Sequence, residues 1–60
     1  MPISGKDMLR LFKQAGWVEL RQNGSHIVVG KGVMRETIPL HRELKKGLEH
    51  KLKKRLKVSL

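Results

Sequence analysis

Cysteine and tyrosine are absent from these 60 residues, and the only aromatic residues are one tryptophan and one phenylalanine. Without cysteine no disulfide can brace a small core, and no thiolate metal site or thiol nucleophile exists. That absence fits a reducing cytoplasm, the expected location. With only Phe12 and Trp17, the chain has no array of rings on which successive bases could stack, as they do on an RRM-type sheet. Acidic residues are also scarce, five against fourteen lysines and arginines. No apolar run is long enough to cross a bilayer, and Met1-Pro2-Ile3-Ser4-Gly5-Lys6-Asp7 has no apolar segment behind it. Neither a signal peptide nor a membrane span is expected.

A formal charge of +9 with 38% hydrophobic residues, placed periodically, describes a folded basic domain rather than a disordered tail. This length allows one domain, residues 1–60, whose folding hides only about 60% of the surface of its unfolded chain. The positive balance calls for an acidic partner: nucleic acid, an acidic protein or a membrane surface. The charge is unevenly spread. From Arg42 to Lys57 eight basic residues stand against two acidic ones, so this segment carries +6 of the net +9.

Ser4 is placed as an N-cap, with Asp7 three residues on, and Met8, Leu11, Phe12 and Ala15 share one helical face opposite Lys6, Arg10 and Lys13. The spacing predicts a helix over 5–15, stopped by Gly16. Trp17–Gln22 alternates with β-forming residues and predicts a strand. Asn23-Gly24 then predicts a tight hairpin turn in which both residues take positive φ. His26–Val29 forms the second strand, Gly30–Gly32 a loop, and Met34–Ile38 the third strand, which Pro39 ends. Leu44, Leu48, Leu52 and Leu56 make a narrow apolar stripe on a last helix, whose start falls at Lys46 or Gly47 because glycine is costly in a helix interior. The order α-β-β-β-α predicts a two-layer α+β domain, with two helices on one face of a three-stranded antiparallel sheet.

Asn23-Gly24-Ser25-His26 delivers a hydroxyl and an imidazole together to the rim of that sheet. On so basic a chain this suggests proton transfer on a polyanion, and RNA is the first substrate to consider. From residue types alone, the commoner reading of His26 is an ordinary surface residue after a hairpin.

Four segments resemble the HicA (YcfA-like) toxin family: Ala15-Gly16-Trp17 closing the first helix, Gly24-Ser25-His26 opening the second strand, Pro39-Leu40-His41 closing the third, and Glu43-Leu44-Lys45-Lys46-Gly47 leading into the last helix. The resemblance covers nearly the whole chain and implies a fold similar to the double-stranded-RNA-binding domain. It also implies an mRNA-cleaving endoribonuclease, the toxin of a type II toxin–antitoxin system, which arrests translation and growth until a HicB antitoxin covers it. The family's catalytic histidine falls on His26. This chain departs from many members at Leu48, where they carry threonine, and in Lys53-Lys54-Arg55, where they end in Gln-Ala-Gly.

Metal-free RNA cleavage needs a base for the 2′-hydroxyl, an acid for the leaving 5′-oxygen and positive charge on the phosphate. Histidine suits both proton transfers because its ordinary pKa is near 6.5. His26 is therefore the expected catalytic residue. Gly24 lets the backbone come close, Ser25 holds or orients the phosphate, and Arg21, Lys31, Lys6 and Arg10 are the expected phosphate cations. His41 is either a second proton-transfer group or, more ordinarily, a histidine bonded to a loop carbonyl, and His50 is a solvated helix residue. Trp17 either stacks on a base, a contact of about 1–3 kcal/mol, or caps the core, and the core role is preferred. The lysines and arginines of the last helix form a salt-sensitive basic surface for phosphate or for an acidic antitoxin. No cofactor or metal is expected, since the histidines lack zinc-ligand spacing. The free chain is expected to be monomeric. The alternative is a non-catalytic RNA- or DNA-binding module in which His26 is incidental. A basic amphipathic helix can also lie on membranes, but such a peptide has no use for the hairpin.

Overall fold

The computed structural model describes residues 3–59. Met1, Pro2 and Leu60 lie outside that range, as do the first two residues of the start read above. The chain runs α1 (Gly5–Gln14), β1 (Val18–Asn23), β2 (His26–Lys31), β3 (Met34–Pro39) and α2 (Lys46–Val58). The strands form one antiparallel sheet in the order β1-β2-β3, and both helices cover one of its faces. This is the α+β architecture expected.

The Ser4 hydroxyl accepts from Asp7 N at 3.1 Å and so caps α1. That bond occupies one of the helix's unpartnered N–H groups, a contribution of about 1 kcal/mol. Termination is equally local. Ala15 is the C-cap, Gly16 takes φ +95°, Gly16 N donates to Lys13 O, and Trp17 N donates to Phe12 O. This is a Schellman ending. It turns Trp17 back onto the helix, where its ring meets Phe12 edge to face with centroids 4.9 Å apart.

The residues facing the helices form the core: Met8, Phe12, Trp17, Ile27, Val29, Ile38, Leu44 and Leu52 are all buried. Ile27 and Val29 point towards the helices, so His26 and Val28 belong to the open face of the sheet. Leu44 precedes α2 instead of lying in it, but still packs in the core; Leu52 is fully buried, and Leu48 and Leu56 flank it. The apolar stripe thus outruns the helix that carries most of it.

The hairpin turns differ from expectation by one residue. Asn23 pairs with His26, so the two-residue loop is Gly24-Ser25, and of these only Gly24 has positive φ, at 63°. That is the conformation of a turn with glycine first, and it leaves Asn23 as an ordinary strand residue. The second hairpin repeats it: Gly32-Val33 is the loop, while Gly30 and Lys31 stay paired with Arg35 and Met34. The predicted Gly30–Gly32 loop is therefore mostly strand, and β2 is two residues longer than expected. Pro39 is the last residue of β3, paired with His26.

Candidate active site

One end of the sheet gathers the histidine turn, the exit of β3 and the start of α1. Leu40 N donates to Ser25 O at 2.6 Å, which fastens the β3 exit to the Gly24-Ser25 turn. Gly5 N donates to His41 O at 2.9 Å, and Leu44 N donates to Ile3 O at 2.9 Å, so the segment entering α1 is laced to residues 41–44. Gly5 is buried so tightly that a Cβ there would fall 2.0 Å from Pro39 O and 2.7 Å from Leu40 Cα. These are all main-chain atoms of the β3 exit, with no flexible side chain to yield, so only glycine allows α1 to begin here.

His26 and His41 are both exposed at this end, and their rings stand edge to face with centroids 6.0 Å apart. The expected tie between His41 and a loop carbonyl is inverted. It is the backbone carbonyl of His41 that is bonded, to Gly5 N, while its ring stands against His26. Register explains the meeting: His26 opens β2, Pro39 closes β3 opposite it, and His41 follows two residues later.

The expected cations divide. Lys6 is exposed in the first turn of α1, next in the chain to the Gly5 amide that holds His41. Arg21 pairs with Val28 across the ladder and therefore shares the open face with His26, about 7 Å away along the strands. Arg10 lies one turn beyond Lys6 and faces Asp7, with 3.7 Å between Nη1 and Oδ1. Lys31 is displaced altogether. It sits five residues from His26, about 17 Å along β2 and on the helix-facing side. Its ammonium donates to Ala15 O and, at 2.7 Å, to Ser59 O. It caps the ends of both helices and is not a neighbour of the turn.

Two further expectations change. Arg55, assigned to the basic surface, is half-buried with Nε donating at 2.7 Å to Oε2 of the buried Glu36. Trp17 is 2% exposed and donates from Nε1 to Ser59 Oγ at 3.0 Å, so it closes the core and offers no face to a base. Cations that remain towards solvent on α2 include Lys53, Lys54 and Lys57, which line one shallow depression with His50. Arg42, next to His41 and exposed, brings positive charge to the histidine end, although in the sequence it opens the basic tail. Its signal was the strand register, which was not readable before the turns were assigned.

Among the described residues no three His, Cys, Asp or Glu side chains are grouped to hold a metal ion, and no helix is long and apolar enough to cross a membrane.

The family model for the HicA toxin of bacterial toxin–antitoxin systems matches residues 5–58. The chain belongs to the HicA toxin family. It is accordingly the toxin of a toxin–antitoxin pair, and the match begins at the glycine that packs α1 against the β3 exit and runs to the last residue of α2. No curated protein and no solved structure gives a significant match to the chain.

Proposed function

We propose that this HicA-family toxin is an endoribonuclease that cleaves mRNA by metal-independent acid–base catalysis, with His26 as the catalytic residue. One observation carries the reading: an exposed imidazole at the sheet rim, on a strand whose opening turn is anchored by Leu40 N to Ser25 O, beside cations of α1 and β1. A proton-transfer group works best when its backbone is fixed and its ring is accessible to substrate.

In this reaction the 2′-hydroxyl loses a proton to imidazole and attacks phosphorus. The bond to the 5′-oxygen breaks, and that oxygen takes up a proton. The products are a 2′,3′-cyclic phosphate and a 5′-hydroxyl. Lys6, Arg21 and Arg10 supply charge for the phosphates, Gly24 admits the ribose close to the backbone, and the Ser25 hydroxyl donates to a phosphate oxygen. Lys31 has no part in it. The partner that silences the toxin is a HicB-like antitoxin with an acidic surface, and the compartment is the cytoplasm.

The test is a long RNA incubated in EDTA with the purified chain or with His26→Ala. The parent should give fragments ending in cyclic phosphate. The variant should be slower by about 10²–10⁴-fold, the usual worth of a positioned proton-transfer group. In cells the parent should arrest growth and the variant should not. Equal cleavage by both proteins removes His26 from the chemistry. Salt-sensitive binding without cleavage makes the chain a binding module.

A further inference from the structure

We infer that His41 is the second proton-transfer group of the site, dividing base and acid work with His26. This rests on the ribonuclease reading given above. His41 is one of the three histidines and the one whose ring stands against His26; His50 is on α2. Its ring faces His26 at 6.0 Å between centroids, and both rings are exposed. At that separation the two rings border one site, and a phosphodiester laid across both would place one nitrogen near the 2′-hydroxyl and another near the 5′-oxygen.

The two backbones are held in this relation by separate anchors. The Pro39–His26 pairing and the Leu40 N to Ser25 O bond set one strand end against the other. The Gly5 N to His41 O bond then fixes residue 41 from the side of α1, through a glycine that tolerates no side chain. Three elements thus hold the backbone around a residue whose ring is left to solvent. A histidine serving the fold would have its ring nitrogens engaged and buried.

Proton balance closes with two rings. The neutral imidazole takes the 2′-hydroxyl proton as the 2′-oxygen attacks phosphorus. The imidazolium gives its proton to the 5′-oxygen as that bond breaks. The rings end with protonation states exchanged, and solvent restores them. The charged residues that the chain and the register place near the pair are Lys6 and Asp7 from α1, Arg21 from β1, and Arg42 and Glu43 from the following loop. A reaction that needs both a base and an acid gives a rate profile with two limbs.

The experiment measures cleavage of one RNA from pH 5 to 9 by the parent, His26→Gln, His41→Gln and His50→Gln. Binding to the same oligonucleotide with a 2′-deoxy cleavage site, and thermal melting, are followed in parallel. The parent should show a bell-shaped profile. His41→Gln should fall by about 10²-fold or more and lose one limb, with binding and melting unchanged. His50→Gln should behave as the parent. On a substrate whose leaving 5′-oxygen is replaced by sulfur, which departs without protonation, whichever histidine variant lacks the acid should recover. If His41→Gln keeps the parental rate and both limbs while His26→Gln is inactive, the inference is overturned and the ribonuclease reading stands. A slower His41→Gln that keeps both limbs, or melts lower, makes His41 structural and overturns it too. Parental rates in both His26→Gln and His41→Gln, or no cleavage by the parent, remove both readings together.

Discussion

The two ends of the sheet handle polar side chains in opposite ways. At the Lys31 end they are consumed by the fold. The lysine bonds the last carbonyl turns of α1 and α2, Trp17 donates to Ser59, and Ser59 Oγ donates onward to Leu56 O at 3.1 Å. At the His26 end the elements are joined chiefly through main-chain atoms of Gly5, Ser25, Leu40 and His41, Gln22 Nε2 donates to Gly24 O at 3.0 Å within the turn, and both imidazoles face solvent. Polar groups that cost order and return no structural bond are where function is to be sought. By that measure the same strand, β2, begins at the proposed site and ends in a clasp.

The sharpest way to break the contrast is to exchange expectations between its ends. Lys31→Met removes the donor from two carbonyls and strips both helix ends of a cation that suits their dipoles. Hydrogen bonds from a charged donor contribute about 1.5–3 kcal/mol. The variant should lose about 2 kcal/mol, seen as a fall in melting temperature of roughly 10 °C for so small a domain. RNA affinity measured well below that temperature should keep its dependence on salt. If the salt slope falls while stability holds, Lys31 contacts phosphate and the two ends are not distinct.

Lys6→Met is the mirror of that experiment. Lys6 is exposed in the first turn of α1, where a cation does nothing for the helix dipole. Stability should change by less than about 0.5 kcal/mol. The slope of log affinity against log salt should shrink by roughly 0.7, the share of one phosphate contact on a single strand. An unchanged slope would take Lys6 out of the interface and leave Arg21 and Arg42 as the cations of that end.

Why the sequence revealed one end and not the other follows from the range of the interactions. Ser4, Asp7, Gly16 and the apolar spacing of α1 act within four residues, and each was legible. So was the succession of strands. The position of His26 at the opening of β2 was legible because glycine and serine before it announce a turn. The pairing of His26 with His41 depends on register across two hairpins, and register depends on whether Asn23 or Gly24 starts the loop. Asn-Gly and Gly-Ser both suit a two-residue turn, and the ladder decided for the second. Lys31 misled for a related reason. It looked like a loop cation beside Gly30 and Gly32, but pairing with Met34 turned its stem inwards between the helix ends. A lone basic residue near a glycine says nothing of which way a strand will face it.

The smallest effect expected concerns α2, whose first turn reaches the segment that enters α1. Glu49 accepts from Lys53 Nζ at 2.8 Å and lies 3.5 Å from Ile3 N, so one carboxylate joins α2 to the segment that enters α1. The hydrogen bond from the Lys53 ammonium, more than the contact with Ile3, holds the Glu49 carboxyl below its ordinary value of 4.5. A carboxyl depressed in the folded chain stabilises it above the unfolded value, and that contribution disappears as pH falls through the folded one. Urea midpoints for the parent and Glu49→Gln should therefore differ slightly at pH 7, with the parent more stable. The gap should close on acidification below about 4.5. Because the pair is on the surface, added salt at pH 7 should narrow the gap as well. A gap that persists at pH 3 would mean that Glu49 acts by packing and not by charge. The start of α1, and with it His41, would then be insulated from the ionisation of α2.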